Sequence, residues 1–202
     1  NGVPVKNVFI NNDTGWMNKT SNWTIPVYFV SSDVDQGTEL VDVNGDGKTD
    51  IVQANDAGQM VYLHTGSGWS ASASWVFPAK LMNASADSGA RIVDLNGDGL
   101  PDIIQSTDVQ QAVWLNNGSA WVNTTSWMPP VYFKTASVSD TGVRLADANG
   151  DGLVDLVVGT ANSAGSNLTA WLNNGSGWQL DASWAAPEAF VADTFNTGRR
   201  LA

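Results

Sequence analysis

The nine residues Asp-Val-Asn-Gly-Asp-Gly-Lys-Thr-Asp at 42–50 return almost unchanged at 94–102 and at 147–155. Oxygen-bearing side chains occupy the first, third, fifth and ninth positions of each copy: Asp42, Asn44, Asp46 and Asp50; Asp94, Asn96, Asp98 and Asp102; Asp147, Asn149, Asp151 and Asp155. A glycine at position six turns the backbone sharply. Position seven holds Lys48, Leu100 or Leu153, a freedom that makes sense if only its backbone carbonyl is used. A hard cation such as Ca²⁺ takes six to eight oxygens, and a short loop can wrap it when alternate residues point inward. One such stretch would pass for a solvated acidic turn. Three in register predict three Ca²⁺ sites, one per loop.

No second chemistry competes with this one. His64 is the only histidine and stands where sister segments have Asn, so it reads as a turn residue rather than a general base. Glu39 and Glu188 are the only glutamates and neither recurs. Cysteine is absent, which excludes thiol, zinc-finger and iron–sulfur chemistry. A loop saturated with protein oxygens leaves no open Lewis-acid position. The chain is therefore expected to be non-catalytic.

The formal charge of −11 has a local origin, since nine of the 20 acidic residues lie in the three loops. The nine basic residues do not cluster apart from Arg199-Arg200, so nucleic acid has no binding surface here. With 43% hydrophobic and 14% charged residues the chain can build a core. No apolar run approaches the roughly 20 residues of a membrane-spanning helix, so membrane insertion is not expected.

The loops are spaced 52 residues (Asp42 to Asp94) and 53 residues (Asp94 to Asp147), a period typical of propeller blades and repeat arrays. Other features keep the same register. An apolar run ends in an Asn/Gly turn and a tryptophan at Val8–Trp16, Val61–Trp69, Ala112–Trp121 and Ala170–Trp178. A tryptophan precedes proline at Trp23/Pro26, Trp75/Pro78, Trp127/Pro129 and Trp184/Pro187. The approach to each loop runs Gly37-Thr38-Glu39-Leu40, Gly89-Ala90-Arg91-Ile92 and Gly142-Val143-Arg144-Leu145, with a fourth copy at 198–201. Apolar, β-branched runs follow each loop, no capped helical period is present, and Asn-Gly and Gly-Ser-Gly punctuate hairpins. The expected fold is all-β, with blades of about 52–53 residues, each a four-stranded antiparallel sheet. The period divides the chain into a partial blade at 1–40 without a loop, and loop-bearing blades at 41–92, 93–145 and 146–202. The register further predicts that the chain continues beyond both ends, or that a neighbouring chain supplies the missing pieces. The aromatic stripe is expected to be core and inter-blade packing.

The D-x-N-G-D-G-x-x-D loop followed by an apolar strand resembles the FG-GAP/VCBS repeat, the calcium-bearing blade of integrin α-subunit propellers. The fuller pattern, with Trp-Leu-Asn-Asn-Gly-Ser-Gly-Trp and Gly-Val-Arg-Leu-Ala-Asp, is similar to the VCBS repeats of secreted Rhs and toxin-complex shell proteins. The resemblance implies β-propeller blades with each loop at the hairpin between the first two strands. Dockerins and EF-hands share the first six positions but need an acidic residue at position twelve and a following helix. Position twelve is Gln53, Gln105 or Val158 here, and strands are expected to follow.

Eight Asn-x-Ser/Thr acceptors occur, at Asn12, Asn18, Asn22, Asn83, Asn117, Asn123, Asn167 and Asn174. They mark candidate N-glycosylation sites and hence a surface protein, although Asn, Gly, Ser and Thr are also the ordinary residues of turns. Together these features point to an extracellular, calcium-stabilised structural or adhesive module. Its partners would be other chains or copies of itself, meeting through blade faces or missing blade parts, and possible glycans. Two other readings stay open: a lectin whose tryptophans stack on sugars, and a non-catalytic propeller portion of a larger secreted enzyme or toxin shell.

Overall fold

The computed structural model describes residues 6–21, 23–163, 165–193 and 195–197. Two compact units emerge, one comprising the residues up to Asp87 with 118–120, the other 88–117 with the residues from Trp121 onward.

The first unit is built around an antiparallel sheet of four strands in sequential order, Thr38–Val41, Asp50–Asn55, Gly58–His64 and Trp69–Ala71. Three two-stranded hairpins accompany it: Phe9–Asn11 with Trp16–Asn18, Val30–Ser31 with Val34–Asp35, and Met82–Asn83 with Ala86–Asp87. The second unit repeats the sheet twice. One copy runs through Ala90–Val93, Asp102–Ser106, Gln111–Asn116 and Trp121–Thr124; the next through Val143–Ala146, Asp155–Asn162, Gly165–Asn173 and Trp178–Asp181. Among the described residues there is no α-helix, only a single 3₁₀ turn at Ala182–Trp184. The all-β, blade-like fold expected from the period is what forms.

Each acidic loop joins the first two strands of its sheet. Thr38–Val41 pairs with Asp50–Gln53, Ala90–Val93 with Asp102–Gln105, and Val143–Ala146 with Asp155–Val158. The sheets thus begin at Thr38, Ala90 and Val143, three residues ahead of the divisions at 41, 93 and 146, because the strand entering a loop pairs with the strand leaving it. The second strand is the most buried of each sheet: all five residues of Asp102–Ser106 are buried, and Ile103 and Ile104 fully so. A central strand covered on both faces reads as a continuous apolar run rather than an alternation.

A glycine opens every sheet for a geometrical reason. Gly37, Gly89 and Gly142 have φ of +59°, +76° and +73°, and a Cβ on Gly142 would lie 2.5 Å from the Gly159 carbonyl oxygen. Their carbonyls accept the amides of Ala54, Ser106 and Gly159. The carbonyls of those same three residues in turn accept the amides of Leu81, Phe133 and Phe190, so the chain leaving each sheet returns to dock on its second strand. In the third sheet this return becomes a parallel pairing of Val191–Ala192 with Thr160–Ala161.

The core of the second unit joins its two sheets. Leu95, Ile104, Val113, Trp127 and Phe133 pack with Leu156, and Val143, Leu145, Trp171 and Trp178 of the third sheet close over them.

Candidate metal centre

The three loops fold alike, and hydrogen bonds to their own backbone close them. The first-position aspartate caps the turn. Asp42 Oδ1 accepts from Gly45 N at 2.9 Å and Oδ2 from Gly47 N at 2.7 Å. Asp94 does the same with Gly97 and Gly99, and Asp147 with Gly150 and Gly152. The third-position carboxamides of Asn44, Asn96 and Asn149 accept the amides of Asp46, Asp98 and Asp151. Those three aspartates accept the amides of Lys48, Leu100 and Leu153. These are Asx turns stacked one on the next, formed by short side chains that reach backbone two residues on.

The ninth-position aspartates are different, because Asp50, Asp102 and Asp155 are fully buried. One oxygen of each accepts the position-two amide, from Val43 at 3.1 Å, Leu95 at 2.9 Å and Ala148 at 2.9 Å. The other accepts the amide at the far end of the third strand, from His64 at 2.7 Å, Asn116 at 2.7 Å and Asn173 at 2.8 Å. Each thus clamps the loop to the strand beyond it. The sequence pattern identified these residues as candidate ligands; it gave no sign of this clamp.

Burial pushes the Asp102 carboxyl up to about 6, against the pull of the Asn116 and Leu95 amides, and the charges of Asp98 and Asp94 add to the rise. Asp50 is raised for the same leading reason. In the first loop Lys48 Nζ lies 3.1 Å from Asp46 Oδ2, and this hydrogen bond holds the Asp46 carboxyl below its ordinary value. The other two loops have leucine there, and the carboxamides of Asn96 and Asn149 bond Asp98 and Asp151 instead.

By donor chemistry the loops fit a hard divalent cation: three carboxylates, a carboxamide and a backbone carbonyl in nine residues. A carboxylate has about four lone-pair sites, and the hydrogen bonds described above leave each aspartate some in reserve. Among the described residues, however, no three acidic or histidine side chains converge as ligands of one ion. The side chains gathered at each loop are partnered by backbone amides of the same loop and its sheet. The loops of the second and third sheets are neighbours, since a Cβ on Gly97 would meet Leu153 Cδ2 at 2.9 Å.

The other candidates are also placed. Seven of the sequon asparagines, Asn12, Asn18, Asn83, Asn117, Asn123, Asn167 and Asn174, are exposed, while Asn22 lies outside the described residues, as does the loop approach at 198–201. The tryptophans are largely consumed by packing. The indole Nε1 of Trp69, Trp121, Trp127 and Trp178 donates to Thr49 O, Pro101 O, Asn173 Oδ1 and Trp127 O respectively. His64 stacks with aromatics, its ring centroid 5.1 Å from Trp23 and 5.7 Å from Trp69.

Propeller-type blades, each with an acidic loop in its first hairpin, define a repeat-built β protein. The model of the FG-GAP-like repeat matches residues 42–105 and again 94–158. The chain belongs to this repeat family. No curated protein sequence matches it significantly. Among solved structures it is similar to an Agrocybe aegerita lectin described for specific recognition of non-reducing terminal N-acetylglucosamine, at 19% identity and a TM-score of 0.56, over 81% of this chain and 42% of that one. It is also similar to a Photorhabdus luminescens Tc holotoxin pore, at 19% identity and a TM-score of 0.56, over 100% of this chain and 9% of that one. The chain spans less than half the length of either, and at this identity the likeness speaks for the fold.

Proposed function

We propose that this chain is a non-catalytic structural or adhesive module of an extracellular protein, its blades stapled by three Ca²⁺ ions. The observation that carries the reading is the threefold repetition of one oxygen-rich loop whose buried aspartate ties it to the sheet behind. Asp42, Asn44, Asp46, Asp50 and the Lys48 carbonyl would hold the first ion, with the equivalent residues of the other loops holding the second and third. The ion would supply charge neutralisation to carboxylates that repel one another. It would also offset the burial that raises Asp50 and Asp102.

The exposure of seven sequons is compatible with a glycan-bearing surface. No helix among the described residues is long and apolar enough to cross a membrane. A sugar-binding role has less support, because Trp69, Trp121, Trp127 and Trp178 spend their indole N–H on protein acceptors, and Trp75, Trp121 and Trp127 are buried. A portion of a larger secreted assembly remains compatible with the module reading, since a scaffold of this kind serves either setting.

The test is thermal unfolding with Ca²⁺ and with EGTA. Ligand binding to the folded state raises the melting temperature by mass action. A clear rise in Ca²⁺ that Mg²⁺ does not reproduce is expected, and identical melts in both buffers would sink the calcium reading.

A further inference from the structure

Each loop carries the same dipeptide near its centre: Asn44-Gly45, Asn96-Gly97 and Asn149-Gly150. A glycine has no Cβ to keep its amide nitrogen away from the preceding carboxamide, so Asn-Gly is open to attack of that nitrogen on the side chain. The three copies are matched in most of what governs this reaction. Asp-Gly follows each pair, each asparagine is half-buried, and each glycine is exposed. The glycine φ values are +71°, +75° and +80°. Each glycine amide donates to the first-position aspartate, at 2.9, 2.8 and 2.7 Å.

The carboxamides are not matched. Asn96 is tied at both ends, its Oδ1 accepting the Asp98 amide at 3.0 Å and its Nδ2 donating to Asp98 Oδ2 at 2.9 Å. Asn149 is tied in the same way to Asp151, at 2.9 and 2.8 Å. Asn44 keeps only the first of these bonds, to the Asp46 amide at 3.1 Å. Its Nδ2 makes no bond of that length, because Lys48 Nζ takes Asp46 Oδ2 at 3.1 Å. Of the groups that lower the Asp46 carboxyl, Lys48 contributes most and the Asn44 carboxamide least. Leu100 and Leu153, at the position of Lys48, have no charge with which to compete.

We propose that Asn44 is a deamidation site of the folded protein, left free by Lys48 to close on the Gly45 nitrogen while Asn96 and Asn149 are held. Gly45 N gives its proton to a base in solution and bonds to Asn44 Cγ. The Cγ–Nδ2 bond breaks, and Nδ2 takes up a proton and leaves as ammonia. Water then opens the succinimide at one of its two carbonyls, leaving aspartate or isoaspartate at position 44. Asparagine and water are consumed and an acid and ammonia released, with no oxidant or reductant. Aspartate would add a fourth carboxylate to the loop, opposite Lys48. Isoaspartate would add a methylene to the backbone between the third and fifth donors. Either product changes the first loop in one direction with age. A bound Ca²⁺ would hold the Asn44 oxygen and slow the step, and this consequence alone rests on the calcium reading.

The test is to age the folded chain in mildly alkaline buffer, in EGTA and in Ca²⁺, and to follow the three loop peptides by mass spectrometry. Methyltransferase labelling counts the isoaspartate. In EGTA, conversion at Asn44 should run about threefold faster than at Asn96 or Asn149, the scale of one exposed hydrogen bond. The same ranking is expected in Ca²⁺ at lower rates. In urea the three rates should converge, because the local sequences are alike. Lys48→Leu should slow Asn44 to the rate of the others, and Leu100→Lys should speed Asn96. Equal rates in the folded chain overturn the proposal, as does a ranking that persists in urea or ignores both substitutions. A ranking that holds while Ca²⁺ slows nothing would leave the deamidation site standing and count against the calcium staple.

Discussion

Trp127 and Asn173 join two successive repeats through one hydrogen bond of 3.0 Å, from the indole Nε1 to the carboxamide Oδ1. Asn173 is fully buried and its other polar atom is also committed, to Leu95 O. Replacing it with Ala removes both bonds and leaves a buried N–H and a buried carbonyl unpaired. Asn173→Ala should therefore lower stability by about 3 kcal/mol in urea unfolding. The next residue, Asn174, is exposed, and Asn174→Ala should change stability by about 0.5 kcal/mol at most. Equal effects at the two positions would show that the joint does not matter.

The fifth and ninth aspartates of a loop should separate loop closure from metal binding. Asp102 accepts two buried amides, and Asp102→Asn turns a donor toward one of them. The variant should lose about 2 kcal/mol in EGTA, where no ion is present. Asp98 is exposed and bonds only within its loop. Asp98→Asn should cost little in EGTA but remove part of the rise in melting temperature on adding Ca²⁺. If Asp102→Asn is silent in EGTA, the clamp is not what holds the loop to the sheet.

The two roles of these residues explain how far the sequence could be read. The period and the four-strand sheets follow from residue pattern, because turn glycines and apolar runs repeat in register, while the loop's place in the first hairpin is what the resemblance to the FG-GAP/VCBS repeat implies. The amide clamp of Asp50, Asp102 and Asp155 does not, since a ligand aspartate and a capping aspartate are the same residue at the same place. The small hairpin at Met82–Asn83 and Ala86–Asp87 was invisible for another reason. Its turn puts Ala84 and Ser85 at φ of +49° and +62° without the Asn-Gly that signals such a turn. Asp56 holds it instead by accepting the Ala84 amide at 2.6 Å from 28 residues away, a contact no local pattern encodes.

The glycine that opens each sheet is needed for space as well as for φ. Gly142→Ala must place a Cβ 2.5 Å from the Gly159 oxygen at φ +73°, so a loss of about 3 kcal/mol is expected. Gly152, in the loop, has φ +88° but open space around it, and Gly152→Ala should lose only about 1 kcal/mol. Urea midpoints of the two variants compare them directly, and a Gly152 effect as large as that at Gly142 would refute the steric argument.

The first loop should bind Ca²⁺ more weakly than the others, because Lys48 neutralises Asp46 from 3.1 Å. Lys48→Leu makes it like the second and third loops. Titration calorimetry should then show its affinity rise about fivefold, the effect of removing one exposed like-charged competitor. An unchanged isotherm would mean that the lysine swings clear when the ion enters.

Asp140 gives a pH dependence that is independent of the loops. Burial opposes its ionisation, but the Arg144 guanidinium, 2.9 Å away, together with the Gly142 amide and Asn196, outweighs burial and holds the carboxyl below its ordinary value. A carboxyl depressed in the folded state contributes its stability above the unfolded value, about 3.9 for aspartate. That contribution fades as pH falls below about 3.9 and through the lower folded value, where the folded state finally takes up the proton. Wild-type urea midpoints should therefore drop on acidification through this range. In Asp140→Asn, which cannot titrate, the drop should be smaller, and parallel profiles for the two proteins would show that the Asp140–Arg144 pair contributes nothing to folding.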